Sequence, residues 1–322
     1  MKDSLTRREL LAGGAAAAFA MSTGAVTSAR ALAAPNTTRP PSDAACTYSL
    51  NTATLRGMKL PLDRLIDVAA EAQYDAIEPW VDEIRRYQEA GGNLRDLKKR
   101  VADRGLAVVD AIGFSRWLVD DAKQRAEGLE SMRRDMDLVC QIGGTRIAAP
   151  PAGATARAVP LPVVAERYAK LLEIGAAMGV HPQLELWGFS KTLGRIGELA
   201  YVAAECGRPD AGLLPDVFHI YKGGSDFIGL QYLNGRMVHV FHMNDYPSQP
   251  AREQAKDADR IFPGDGVAPM KEILGALFGA GFRGALSIEL FNRAYWKLDP
   301  VIVAMQGLQT MKKAVAVSNV EG

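Results

Sequence analysis

Four short apolar runs in the second half of the chain each end in one side chain that could do chemistry. They read Leu184-Glu185-Leu186-Trp187-Gly188, Leu213-Leu214-Pro215-Asp216, Val240-Phe241-His242-Met243-Asn244-Asp245 and Ser287-Ile288-Glu289-Leu290. A carboxylate in apolar surroundings is costly unless it is paired or coordinates a cation. Three carboxylates and one imidazole brought to one rim would repel each other, and a divalent ion removes that repulsion. The expected ligands are therefore Glu185, Asp216, His242 and Glu289. An oxygen-rich set with a single imidazole suits Mn²⁺ first, with Mg²⁺, Co²⁺ or Zn²⁺ as alternatives. Such an ion, chelated by adjacent carbonyl and hydroxyl oxygens of a keto sugar, acts as a Lewis acid and stabilises an enediolate. Glu185 and Glu289, on either side of the Asp216–His242 pair, would serve as base and conjugate acid. Proton return to the other face gives epimerisation, and return to the adjacent carbon gives isomerisation. Loss of a β-hydroxyl, or of an aglycone from an oxidised glycoside, gives a dehydratase or lyase.

These residues need elements to position them. From residue 46 onward, eight candidate strands alternate with eight candidate helices. The strands are Cys46–Leu50, Ala76–Pro79, Ala107–Ile112, Thr145–Ala149, Gln183–Leu186, Gly212–Leu214, Val238–His242 and Ala285–Glu289. The helices are Leu62–Ala72, Leu94–Arg104, Asp121–Gln141, Val163–Met178, Lys191–Cys206, Phe227–Leu233, Pro269–Phe278 and Pro300–Val317. Strict alternation implies parallel strands, since each return needs a crossover helix. Eight units in about 275 residues match an α/β fold of the (β/α)8 TIM-barrel kind, a single domain. An open doubly wound sheet is disfavoured, because no GxGxxG loop follows the first strand. In a barrel the chemistry sits at the C-terminal strand ends, where the four residues stand.

The order of these motifs carries a resemblance. Glu185 on strand five, Asp216-Val217-Phe218-His219 after strand six, His242-Met243-Asn244-Asp245 after strand seven and Glu289 on strand eight resemble the xylose isomerase-like TIM-barrel superfamily. The resemblance spans roughly residues 46–316. It implies metal binding by Glu185, Asp216, His242 and Glu289, and a place for His219 near substrate or metal. Asp245, the second residue of the His-x-x-Asp motif, joins the substrate-binding candidates. The segment Arg260-Ile261-Phe262-Pro263-Gly264-Asp265-Gly266 resembles the R-x-x-PGxG loop of relatives, which implies a substrate or supporting contact for Arg260. Glu78, before Pro79-Trp80, is a further candidate substrate contact. Trp187, Trp80 and Phe114 could stack on a sugar ring, although core packing accounts for them equally well. His181 and His239 are read as structural. The expected partner is a small carbohydrate, and a homo-oligomer is left open.

The N-terminus reads as a targeting segment. Thr6-Arg7-Arg8-Glu9-Leu10-Leu11, a mild apolar run and Ala31-Leu32-Ala33 resemble a twin-arginine signal over residues 1–33. A flexible spacer over 34–45 and the barrel over 46–322 would follow, in a periplasmic or otherwise exported protein with no membrane span after processing. Setting aside the four basic and two acidic residues of 1–33 leaves 34 basic against 35 acidic residues. That balance argues against nucleic-acid binding. So does the count of four histidines, too few for a three-metal DNA-repair cluster. Cys46, Cys140 and Cys206 lack metal or disulfide spacing and read as small buried hydrophobes. Two other classes stay open: a metal-free carbohydrate-binding barrel and a metal-dependent hydrolase.

Overall fold

A computed structural model of the chain describes residues 46–318. Eight parallel strands occur among them: β1 (Thr47–Asn51), β2 (Ala76–Glu78), β3 (Ala107–Val108), β4 (Arg146–Ala149), β5 (His181–Glu185), β6 (Gly212–Leu214), β7 (Val240–Met243) and β8 (Ala285–Ile288). Five of them pair in the order β3-β2-β1-β8-β7 and three in the order β4-β5-β6. The two seams between these groups are stitched by isolated contacts. Ala148 N–H donates to the Ala111 carbonyl at 2.9 Å, and His242 N–H donates to the Pro215 carbonyl at 3.1 Å. Leu213 also bridges to Val238, so the sheet closes into a barrel.

The helices between the strands are α1 (Leu62–Glu71), α2 (Val81–Glu89), α3 (Leu94–Asp103), α4 (Ala122–Gln141), α5 (Leu161–Met178), α6 (Ile196–Glu205), α7 (Val217–Gly223), α8 (Met270–Gly279) and α9 (Pro300–Ser318). Their boundaries follow local chemistry. Asp121 Oδ1 accepts the Gln124 N–H at 2.8 Å and starts α4. Gly179 ends α5 at φ +69°, a backbone conformation that disfavours side chains with a Cβ.

The alternation and the places of all eight strands agree with the sequence reading; two helices and the length of the third strand do not. The segment 227–233 forms a 3-10 turn over Phe227–Tyr232. The crossover after β6 instead begins with α7, whose run Val217-Phe218-His219-Ile220 is buried throughout. α2 was not expected, because its sequence is mostly polar and it buries only Val81, Glu83 and Ile84. The third strand is two residues long rather than six. Beyond it the chain makes isolated contacts, Trp80 bridging to Ile112.

Two apolar layers hold the fold. Inside the barrel, Ala148, Leu214, Val240 and Ala285 pack with Ile112. The larger layer lies between barrel and helices, with Leu184, Phe241, Leu286 and Tyr168 among its members. Each fully buried aliphatic side chain contributes about 1.5–3 kcal/mol. Cys46 and Cys206 are buried as expected, whereas Cys140 is exposed on α4. Among the described residues, no helix is long and apolar enough to cross a membrane. The expected signal and spacer lie outside the described residues.

Candidate active site

The C-terminal ends of β5 to β8 deliver the four residues to one place. Asp216 follows β6 and caps α7, its Oδ1 accepting the His219 N–H at 2.7 Å. Asn244, just after β7, donates from Nδ2 to Asp216 Oδ2 at 2.9 Å and accepts the Phe218 N–H at 2.8 Å. Asp216 and His242 form a bridge between their backbones across the β6–β7 seam. Gly188 lets the chain leave β5 close to α7, since a Cβ there would sit 2.2 Å from the His219 carbonyl.

Asp216, His242 and Glu289 are all buried, and one donor atom of each lies within 4.8 Å of the others. His242 Nδ1 faces Asp216 Oδ2 at 3.7 Å and Glu289 Oε2 at 3.4 Å. Its Nε2 meets Glu78 Oε1 at 3.0 Å. Glu78 is fully buried and accepts Asn51 Nδ2 at 2.8 Å and Ser287 Oγ at 2.6 Å. It therefore orients the imidazole from behind and makes no wall of the cavity, which corrects its reading as a substrate contact. A carboxylate behind the imidazole aims the other ring nitrogen at a metal position.

Buried polar atoms normally find partners. Here His242 Nδ1 and Glu185 Oε2 have no hydrogen-bond partner among the described residues, and both belong to the expected ligand set. Two carboxylates and an imidazole nitrogen with these free atoms fit a divalent ion. Glu185 is not one of the three clustered ligands. It lines the same cavity, and its Oε1 accepts Trp187 Nε1–H at 2.9 Å.

Arg260 is the cation at this site. It is fully buried, and its Nη1 donates to Asp216 Oδ2 at 2.9 Å and to Glu289 Oε2 at 2.8 Å. Its Nη2 donates to Asp257 Oδ1 at 2.7 Å and faces His219 Nε2 at 3.1 Å. Because the guanidinium can only donate, His219 Nε2 is the acceptor and the ring proton sits on Nδ1. That Nδ1 is buried and has no partner among the described residues, a donor available to a ligand.

The electrostatics follow. Burial pushes Glu185 up to about 8, and the Glu289 carboxylate adds to the push against the pull of His242. Burial likewise raises Glu289, with His242 and Arg260 opposing. Burial disfavours the charge on His242, but Glu78 and Glu289 outweigh it and hold the imidazolium well above the ordinary range. Burial drives His219 down to about 4, against Asp216 and with Arg260, so its ring is neutral.

A cavity of about 220 Å³ opens over Glu185, His219, Arg260 and Glu289. Its walls are the rings of Trp80, Phe114, Trp187, Phe189 and Phe291. Trp187 therefore lines the cavity as well as steadying Glu185. Asp245 does not reach it. Its oxygens accept the backbone N–H groups of Tyr246, Gly264, Gly266 and Ala268 at 2.7–3.1 Å, so it ties down the PGDG loop. That corrects its reading as a substrate group. His181 opens β5 and His239 precedes β7, both at the opposite end of the barrel. Asn51, Ser287, Asn244 and Asp257 escaped the sequence reading. Asn51 and Ser287 are small uncharged strand residues that give no signal of cost, Asn244 hides inside the His-x-x-Asp motif, and Asp257 sits among the other charges of a loop; Asn51 alone, ending the first apolar run, could have been noticed.

The fold and this arrangement define a metal-capable barrel with its site at the strand ends. The chain belongs to the family described as xylose isomerase-like TIM barrel, whose model matches residues 66–314. Among curated proteins it is 33% identical over 135 residues to the inosose isomerase of Bacillus velezensis, 42% of this chain and 48% of that protein. It is 24% identical over 266 residues to the 3-dehydroshikimate dehydratase of Pseudomonas aeruginosa, 82% of this chain and 41% of that protein. The chain thus spans half or less of the length of these relatives. The solved structure of IOLI protein with a bound zinc atom has a TM-score of 0.77 at 22% identity, covering 85% of this chain and 99% of its own. An L-ribulose 3-epimerase structure has a TM-score of 0.65 at 20% identity, covering 86% and 99%.

Proposed function

We propose that the protein is a divalent-metal-dependent isomerase or epimerase that moves a proton within a keto sugar or related polyol. The observation that carries this reading is the pair Glu185 and Glu289, two buried carboxylates raised by burial on one small cavity beside Asp216 and His242. Asp216, His242 and Glu289, with Glu185 as a fourth donor, would hold the ion, manganese by our reading of the donor set. When bound, that ion polarises a carbonyl oxygen and acidifies the neighbouring C–H.

The chain's own residues do the rest. The aromatic walls exclude water and take the apolar face of a sugar ring. His219 Nδ1–H and Arg260 Nε–H, the one donor of that guanidinium not already committed to Asp216, Glu289, Asp257 or His219, donate to substrate oxygens. Glu185 Oε2, free of partners, takes the substrate proton, and Glu289 delivers one from the opposite side. A second reading, a dehydratase or lyase on an inosose or 3-keto-glycoside, shares every step up to proton removal. The match to a 3-dehydroshikimate dehydratase over 82% of the chain supports it.

Substrate C–H exchange in D₂O tests both. Exchange over a panel of keto sugars and inososes should require added Mn²⁺ and disappear in Glu289→Gln. Full exchange in that variant removes Glu289 from the mechanism. Solvent ¹⁸O in product without carbon-bound deuterium identifies a hydrolase, and binding without exchange identifies a carbohydrate-binding barrel. We also propose that residues 1–33 direct export by the twin-arginine route and that the barrel domain begins near residue 46, on the sequence pattern. The N-terminal sequence of the exported protein checks the first, and the N-terminus of the core left by limited proteolysis checks the second.

A further inference from the structure

A second cavity, of about 840 Å³, lies beside the first and shares two of its walls, Phe189 and Asp257. Phe189 stands at the join. It is half exposed, at 50%, stacks on Trp187 with ring centres 5.3 Å apart, and meets His219 edge-on at 5.8 Å. Such an aromatic ring at a site mouth gains when a ligand covers it. The outer cavity continues from it over Phe218 and Pro250. The ring of Phe218 also lies under the Arg260 guanidinium, at 4.9 Å from its centre. One continuous surface thus runs from the reacting groups to the outer cavity.

The inner cavity is small and closed in by five rings, room for one sugar unit. The outer is almost four times larger. Its charges are mixed, Lys222 and Lys256 against Glu253, Asp257 and Asp259. Lys222 Nζ is already committed to the carbonyls of Arg252 and Glu253, at 2.9 and 2.8 Å, and Asp257 to Arg260. A wall of this kind suits an uncharged ring with a few hydroxyls and offers little to a phosphate.

We infer that the outer cavity is a subsite for a second, uncharged ring, so that the substrate is a ring-substituted sugar such as a glycoside. This rests on the enolising reading above and names its substrate class. The test titrates methyl β-D-glucopyranoside, phenyl β-D-glucopyranoside and cellobiose into the Mn²⁺-loaded whole chain and into Gln254→Trp. That exposed outer-wall position lies outside the inner cavity, and an indole there obstructs the outer one. The two-ring probes should bind at least tenfold more tightly than the methyl glycoside. The advantage should vanish in Gln254→Trp while methyl glycoside binding stays the same. A phenyl-only gain assigns the subsite to an aryl group, and a gain with both probes assigns it to any neutral ring. Equal affinities for all three probes, or an advantage that survives Gln254→Trp, overturns the subsite. If keto sugars still exchange in D₂O in that case, the enolising reading stands without it. If no sugar binds or exchanges, both fall.

Discussion

Glu78 shows how much of this site depends on a residue that meets no ligand. Its two oxygens are occupied by His242, Asn51 and Ser287, and all four side chains are buried. Burial pushes the carboxyl up, but the His242 imidazolium and the two donors hold it below its usual value. The anion in turn holds the Nε2 proton in place and leaves Nδ1, whose proton a bound metal would replace, facing Asp216 and Glu289. Glu78→Gln should therefore weaken metal binding by roughly 10–100-fold, the usual cost of losing the partner of a ligating imidazole. Competition with a metallochromic chelator measures it. An unchanged affinity would mean that Asn51 and Ser287 suffice to hold the ring. The ligand candidates themselves were legible because an ionisable group at the end of an apolar run is costly and so conspicuous. The role of Glu78 was not, because the same signal serves a substrate contact and a buried anchor alike.

At the scale of elements, the loop after β7 is the piece that sets the site. Asp245 and Ile261 exchange backbone hydrogen bonds at 2.9 Å, which fixes the chain on either side of Arg260. The Asp245 carboxylate then collects four N–H groups of the same loop. Gly266 is required there, since a Cβ would lie 2.3 Å from Asp245 Oδ1. Asp245→Ala leaves several of these donors unmet at about 1–3 kcal/mol each, with water reaching part of the loop. A loss of roughly 2–4 kcal/mol in urea unfolding is expected, with a smaller loss in Asp245→Asn, which keeps one acceptor oxygen. A loss under 0.5 kcal/mol would show that the loop holds its shape by its own turns. The strands were readable because each is a short apolar run between helix-length segments. α2 and α7 were not. The first is mostly polar and buries three of nine residues, so it reads as surface, and the second is only seven residues opening on the buried run Val217-Phe218-His219-Ile220, too short to set a helical period.

For the whole molecule, the crowding of acidic groups at one end of the barrel ties stability to pH and metal together. Glu185 is raised from 4.5 to about 8, so without a metal its contribution to stability is complete below about pH 4.5 and is lost as pH rises towards 8. His242, also raised, acts in the same direction from its own ordinary value of 6.5 upward. Asp216 and Glu78 are held low, so they stay charged through this range and lose their contribution only in stronger acid. A divalent ion bound to these donors replaces protons, so its binding strengthens as pH rises. The stabilisation it gives follows from mass action, about 2.7 kcal/mol at a hundredfold excess over Kd. The gain in Tm on adding Mn²⁺ should therefore be small near pH 5 and grow by several degrees up to pH 8. Paired melts with Mn²⁺ and with EDTA across that range measure it, and His242→Ala should flatten the curve. A gain in Tm that is the same at pH 5 and pH 8 would mean that the ion binds groups already charged at pH 5. Glu185 and His242 would then lie outside its ligand set.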